Sequence, residues 1–180
     1  MAKKRSTETP EPGALIAENL RRASRQDAPI IADWLCQPEI NRYLSSNLRD
    51  CGLEPGLANA ALRRPDQLWS IFSSDDGNPV GLIALDSIDL VDGVANIWYL
   101  LGRSDAAGRG LTSAAIERFC AANPAGLHTL IAWVGEPNTA SLRCLEKASF
   151  HVIGRIAGGF VFEDARYDRI LYERVLTVAE

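Results

Sequence analysis

The stretch "LLGRSDAAGRGLTSAAIERF", Leu100–Phe119, decides how this chain is read. It runs from an apolar segment through a loop of small residues into a helix with Leu111, Ala115, Ile116 and Phe119 on one face. Gly108 and Gly110 stand at the mouth of that helix. Glycine loses more chain entropy on folding than other residues, so it is placed where backbone turns left-handed or is closely approached. The first N–H groups of a helix have no intrahelical partners, and the macrodipole adds partial positive charge there. Small residues let a bulky anion reach those groups, and Thr112 and Ser113 add hydroxyls, so the loop suits a phosphate or pyrophosphate. A plain tight turn has the same glycine pair. The loop is not a Walker A, because no Gly-Lys-Ser/Thr follows. It is not a dinucleotide fingerprint either, because the strand before it belongs to an antiparallel meander.

That meander lies upstream. "QLWSIFSS", "PVGLIALDSI" and "GVANIWYLLG" read as three strands, with turn signals at Asp75–Asn78 and Asp92–Gly93. Before them, 14–24 contains a first strand. Asp27 with Pro29 starts a helix carrying Ile30, Ile31, Trp34 and Leu35, and Pro38 starts a second. "LEPGLANAALRR" is a third helical segment, stopped by Pro65. After the glycine loop and its helix come an apolar strand in "LHTLIAWV", a helix over 138–148 and two strands in "FHVIGRIAGGFVF" and "RYDRILYERVL". The order is that of a mixed α/β protein, with flanking helices on a mainly antiparallel sheet. Residues 1–13 read as a flexible charged tail and 14–180 as one domain, without repeats or an internal linker.

The bulk composition excludes several classes. An apolar share of 47% with 23% charged residues is that of a globular domain with a proper core. No apolar run is long enough to span a bilayer, and the N-terminus lacks a secretory h-region. The net charge of −4 gives no general attraction to nucleic acid. Arg21, Arg22 and Arg25 read as a solvated strand end. Cys36, Cys51, Cys120 and Cys144 have no metal-ligand spacing, so no metal is expected. Cys36, Cys120 and Cys144 read as reduced core residues, which fits a cytoplasmic protein. His128 and His151, in strands without acidic neighbours, read as structural.

A second element sharpens the picture. "EPNTASLRCLEKASF", Glu136–Phe150, follows a strand directly. An Asn at such a junction satisfies backbone groups of two separating strands. Together, "DAAGRGLTSAA" and "NTASLRCLEKASF" resemble the GNAT superfamily of acyl-CoA N-acyltransferases, and the order of elements agrees from about Leu20 to Val175. "SLRCLEKASF" and "YDRILYERV" look most like the branch of ribosomal-protein N-terminal acetyltransferases. The resemblance implies a sheet of about seven strands, split between the fourth and fifth. It implies acetyl-CoA as cosubstrate, with its pyrophosphate on Ala106, Ala107, Gly108, Arg109 and Gly110. Leu111, Thr112 and Ser113 would complete that site. Leu100 and Leu101 in "IWYLL" would pair with the pantetheine arm, and Asn138 and Ser141 would line its thiol end.

The match has gaps that bear on mechanism. Asp105 stands where the family loop begins with Gln or Arg, and Ser149 stands for a Gly before Phe150. Asn96 replaces the Glu that many relatives use as general base, and Leu145 stands where others carry an acidic Tyr. Ser141 is then the candidate proton donor to the leaving thiolate, with Asn138 and Asn96 beside it in the catalytic set. Asp86, Asp89 and Asp92 cluster before Asn96, and Glu136 lies beside Asn138. Asp86 is a candidate for holding a cationic amine. Trp34, Tyr43 and Trp98 are candidate walls of the substrate side. Trp98 and Tyr99 alternate, so one faces the core and one the cleft.

These readings lead to an N-acetyltransferase acting on a peptide N-terminus or a small-molecule amine, as monomer or homodimer. Two alternatives stay open: a longer acyl donor, and a non-catalytic acyl-CoA-binding module.

Overall fold

The computed structural model describes residues 10–44 and 54–177. Most of the expected tail and Cys51 lie outside these residues. A single eight-stranded sheet runs in the order β1-β2-β3-β4-β5-β6-β8-β7. The segment expected as one first strand is a small hairpin, β1 (Leu15–Ala17) and β2 (Leu20–Arg22). Asn19 takes the left-handed φ of 55° between them, a conformation its short polar side chain tolerates. The sheet therefore gains one strand over the expected seven.

The meander follows as β3 (Leu68–Ser73), β4 (Pro79–Asp89) and β5 (Val94–Leu101). β5 then pairs with β6 (Thr129–Gly135) in parallel, and β8 (Ala165–Val175) lies between β6 and β7 (His151–Phe162). Helices cover both faces. On one are α1 (Ala28–Cys36), α2 (Pro38–Asn41) and α3 (Pro55–Ala61). On the other are α4 (Leu111–Ala122) and α5 (Thr139–Lys147).

Alternation along the strands divides the core into these two layers. Ile31, Leu35, Trp69, Ile71 and Leu82 pack on the α1–α3 side. Ile83, Leu85, Ile97, Ile116, Phe119 and Leu145 pack on the α4–α5 side. Trp34 belongs to the first layer and is buried. A Cβ on Gly102 would lie 2.2 Å from its ring, so the glycine lets the indole seat under the end of β5. The structure thus corrects the expectation of Trp34 as a substrate wall: its apolar area is spent on packing. Cys120 is buried as expected, whereas Cys36, the last residue of α1, is exposed.

The basic cluster is also more structured than a solvated strand end. Arg21 donates to both carboxylate oxygens of buried Asp27, at 2.8 and 2.6 Å, and Arg22 donates to the Pro10 carbonyl.

α5 ends in a Schellman motif. Phe150 N–H bonds the Leu145 carbonyl at 3.0 Å, and Ser149 N–H bonds the Glu146 carbonyl at 3.1 Å. The motif needs a left-handed residue, and Ser149 supplies it at φ 57°. That conformation costs a non-glycine residue about 1 kcal/mol. Ser149→Gly is therefore expected to raise the melting temperature by roughly 2–4 °C, as read by thermal denaturation.

Candidate active site

β5 and β6 pair only at Val94↔Thr129, Ala95↔Leu130 and Asn96↔Ile131. Beyond that point both strands continue but part. Each stays tied to its outer neighbour, β5 to β4 and β6 to β8. Gly102 N–H bonds the Val80 carbonyl of β4, so by alternation the peptide groups of Tyr99 and Leu101 face the gap. On the far side Glu136 N–H bonds Asp168 of β8, so those of Trp133 face the gap from β6. Two strands with inner edges left open form a slot for an extended, amide-bearing chain.

The slot opens into a cavity of about 570 Å³. Its lining includes Leu100, Leu101, Ala106, Ala107, Gly108, Gly110, Leu111, Thr112, Ser113, Asn138 and Ser141. Every residue expected at the donor site is among them except Arg109, which is exposed outside the lining.

At the helix mouth Gly108 and Gly110 take φ of 74° and 75°. A Cβ built on Gly108 meets nothing within 4 Å, so the corner is open. Among the described residues, no acceptor faces any backbone N–H from Gly108 to Ser113. The Ser113 hydroxyl donates to the Gly110 carbonyl at 3.0 Å, which rigidifies the turn. Asp105 is held away by Arg103, which grips its carboxylate at 3.0 and 2.6 Å and keeps its pKa below the usual value. The Asp105 charge, where the family loop has Gln or Arg, is thereby neutralised by a neighbour on the same loop. Arg143 and Lys147, four residues apart on one face of α5, line the same cavity and add positive charge.

At the other end of the slot, the Asn138 side chain accepts from Ser141 N–H at 3.1 Å and caps α5. This fixes Ser141, whose Oγ lies 2.6 Å from the Tyr99 hydroxyl. Tyr99 also donates toward the Ser141 carbonyl at 3.2 Å. The phenol thus bridges the parted strands, from β5 to the first turn of α5. Burial pushes the Tyr99 pKa far up, so the group stays protonated. Cys144, one turn after Ser141, also lines the cavity, and burial raises its thiol to about 11. It is a thiol and not a nucleophilic thiolate at neutral pH. Leu145 is fully buried in the core.

A second cavity of about 210 Å³ continues from the first, sharing Tyr43, Leu44, Ile97, Trp98, Trp133 and Gly135 with it. Asp86 and Asn96 lie here, cross-strand partners joined by an Asn96 Nδ2 to Asp86 Oδ1 hydrogen bond of 3.2 Å. The register of β4 breaks between Asp86 and Asp89. Such bulges re-aim side chains, and Asp86 sits at its edge. Trp98 forms an edge-to-face pair with Trp69 at 5.4 Å and walls both cavities. Tyr43 stacks on Phe162 at 4.9 Å. Alternation places Trp98 toward the α1–α3 face and Tyr99 toward α5.

Three acidic candidates, Asp89, Asp92 and Glu136, lie outside the lining of both cavities. Asp89 accepts from the N–H groups of Val91 and Asp92 in the hairpin, and Glu136 pairs with Arg155 on the surface. His128 is exposed and bonded to Thr129, and His151 is exposed at the start of β7.

Sequence reasoning missed Tyr99 as the bridging group, together with Arg143 and Lys147 in the larger cavity and Arg169 of β8, which lines the smaller one. The four-residue spacing of Arg143 and Lys147 was the one available signal. The other roles depend on strands distant in sequence.

The fold and the paired cavities define an acyl-CoA-dependent N-acyltransferase. The acetyltransferase (GNAT) domain model matches residues 19–151, well over half of the chain, and the protein belongs to that family. Solved structures share the fold at low identity. Spermidine N-acetyltransferase from Vibrio cholerae, in complex with CoA and spermine, aligns at TM-score 0.74 and 17% identity, covering 88% of this chain and 95% of that one. RimL, a ribosomal L7/L12 alpha-N-protein acetyltransferase in complex with coenzyme A, aligns at 0.73 and 12% identity, covering 92% and 98%. The microcin C7 self-immunity acetyltransferase MccE, in complex with acetyl-CoA and AMP, aligns at 0.70 and 14%, covering 93% and 99%. A search of curated proteins by sequence finds no match. Among the described residues no helix is long and apolar enough to cross a membrane, and no cluster of His, Cys, Asp and Glu has the makeup of a metal site.

Proposed function

We propose that the protein transfers an acetyl group from acetyl-CoA directly to a primary amine of low pKa, an α-amine above all. The observation that carries this reading is the open slot between β5 and β6, with unpartnered N–H groups at one end and Asp86 at the other. Acetyl-CoA supplies the acyl group as an activated thioester. The residues fit it: the N–H groups of Gly108–Ser113 suit a diphosphate, and the inner edges of β5 and β6 suit an amide-bearing arm. Gap-facing N–H groups of the two strands polarise the acyl carbonyl. Ser141 Oγ delivers a proton to the departing sulfur while the Tyr99 hydroxyl, 2.6 Å away, stays protonated and hydrogen-bonds the serine oxygen, and the proton shed by the amine nitrogen as the amide forms restores the serine hydroxyl.

On the acceptor side Asn96 cannot take a proton, and the nearest carboxylate is its partner Asp86. Asp86 binds the incoming ammonium from the α1–α3 face. A lysine side chain costs about 4.6 kcal/mol to deprotonate at pH 7, an α-amine about 1.4 kcal/mol. A site without a strong base therefore favours the α-amine by roughly 200-fold in kcat/KM. Initial rates of CoA release from acetyl-CoA, with a peptide α-amine against an Nα-blocked lysine peptide, measure this ratio. Equal rates for the two amines would remove the reading of Asp86 and Asn96 as a weak-base site. CoA binding without release for any amine would favour a binding module.

A further inference from the structure

The smaller cavity holds charge of both signs. Among the described residues, its charged lining side chains are Asp86 on β4 and Arg169 on β8. Cross-strand register puts them on one face. Asp86 pairs with Asn96, Asn96 with Ile131, and Gly135, two pleats beyond Ile131, with Arg169. Both side chains therefore point toward the α1–α3 face, where the acceptor enters. Arg155, farther along the same pair of strands, is by contrast occupied, pairing with Asp168 at 2.8 Å. Arg169 is half-buried and makes no ion pair within 4 Å among the described residues. Its guanidinium lies 6.0 Å from the Trp133 ring centroid, and Trp133 walls the same cavity.

We propose that Arg169 is a specificity-determining residue, selecting an amine that also carries an anionic group several bonds from its nitrogen. This rests on the acetyl-transfer reading above. With the amine at Asp86, Arg169 stands three strand spacings across the sheet, about 14 Å, and four residues further along it, about 13 Å, so the two backbones are roughly 19 Å apart. The two side chains narrow that gap. The remaining span exceeds the separation of charges within one α-amino acid, and it fits an anion on a second residue or at the far end of a short chain. A carboxylate or a phosphate pairs with guanidinium in the same forked geometry. A polyamine would instead bring a second cation against Arg169, which costs affinity.

A matched peptide set tests this. Alanyl-glutamate, alanyl-phosphoserine, alanyl-glutamine and alanyl-lysine, all C-terminally amidated, share one α-amine and differ in the remote charge. Wild-type kcat/KM is expected to favour the glutamate or the phosphoserine peptide at least tenfold over glutamine, and more over lysine. The glutamate-to-phosphoserine ratio tells a carboxylate ligand from a phosphate. Arg169→Gln should bring the anionic-to-neutral ratio to within twofold, and Arg169→Asp should turn preference toward lysine. If Arg169→Asp does not fold, the wild-type and Arg169→Gln ratios decide. Turnover of alanyl-glutamine without any anion preference, or a ratio unchanged in Arg169→Gln, would overturn the role of Arg169 while leaving acetyl transfer standing. No CoA release with any of the four peptides would overturn both.

Discussion

Replacing Gly108 and Gly110 together with valine is expected to weaken acetyl-CoA binding by about 10³-fold, since several charge-assisted hydrogen bonds to a diphosphate are lost at once. Both residues have positive φ, and both line the donor cavity. The Cβ of a residue at 108 would meet no protein atom within 4 Å, and at 110 only Ser113 Oγ, at 4.0 Å. A loss of binding would therefore arise on the ligand side, not from a clash within the protein. Each side chain would stand in front of the free N–H groups of Gly108–Ser113. The measurement is thermal stabilisation by ligand. At about 100 times the dissociation constant, wild-type protein should gain about 2.7 kcal/mol, or roughly 5–10 °C for a domain of this size. The double variant should show no shift at that concentration. Strain at two left-handed positions lowers its own melting temperature, so circular dichroism must first show a folded protein. Gly108→Ala, which adds only one methyl group in open space, is the control for fold. A full shift in the folded double variant would remove the diphosphate from this corner.

Ser141→Ala is expected to lower kcat by 10²–10⁴-fold, the usual scale for removing a positioned proton donor, with KM for acetyl-CoA little changed. The Ser141 hydroxyl sits at the first turn of α5, held by the Asn138 cap through its own N–H. Removing the hydroxyl leaves that backbone bond in place, so the helix start survives. Tyr99→Phe should have a smaller effect. It removes the donor 2.6 Å from Ser141 Oγ and the link to the Ser141 carbonyl, but keeps the ring packed in the core. Because the Tyr99 phenol stays protonated, the wild-type rate should show no alkaline limb from this group across neutral pH. Stopped-flow or steady-state CoA release, with kcat and KM separated, checks both variants. A Ser141→Ala enzyme with wild-type kcat would leave the serine a helix-start residue only.

Much of this architecture is visible in local residue patterns. The glycine pair at 108 and 110, the Asn138 cap and the helix and strand periodicities are short-range features, decided by φ preferences and by the spacing of apolar residues. So the residues that line one end of the larger cavity stand close together in the sequence. The same patterns misplaced Trp34 and Cys36. An apolar helix face does not tell whether an indole meets solvent or another strand, and Gly102, just after β5, leaves the space in which Trp34 packs.

The order of residues along the chain was enough for the class of fold, the glycine-bearing mouth of α4 and the serine at the start of α5, because each depends on residues close together in sequence. Only the folded molecule sets β5 and β6 apart after Asn96, carries Tyr99 across the gap to Ser141, and brings Asp86 and Arg169 to one cavity. Those relations join strands far apart in the chain, and the order and register of the sheet, set by packing of the whole core, bring them together.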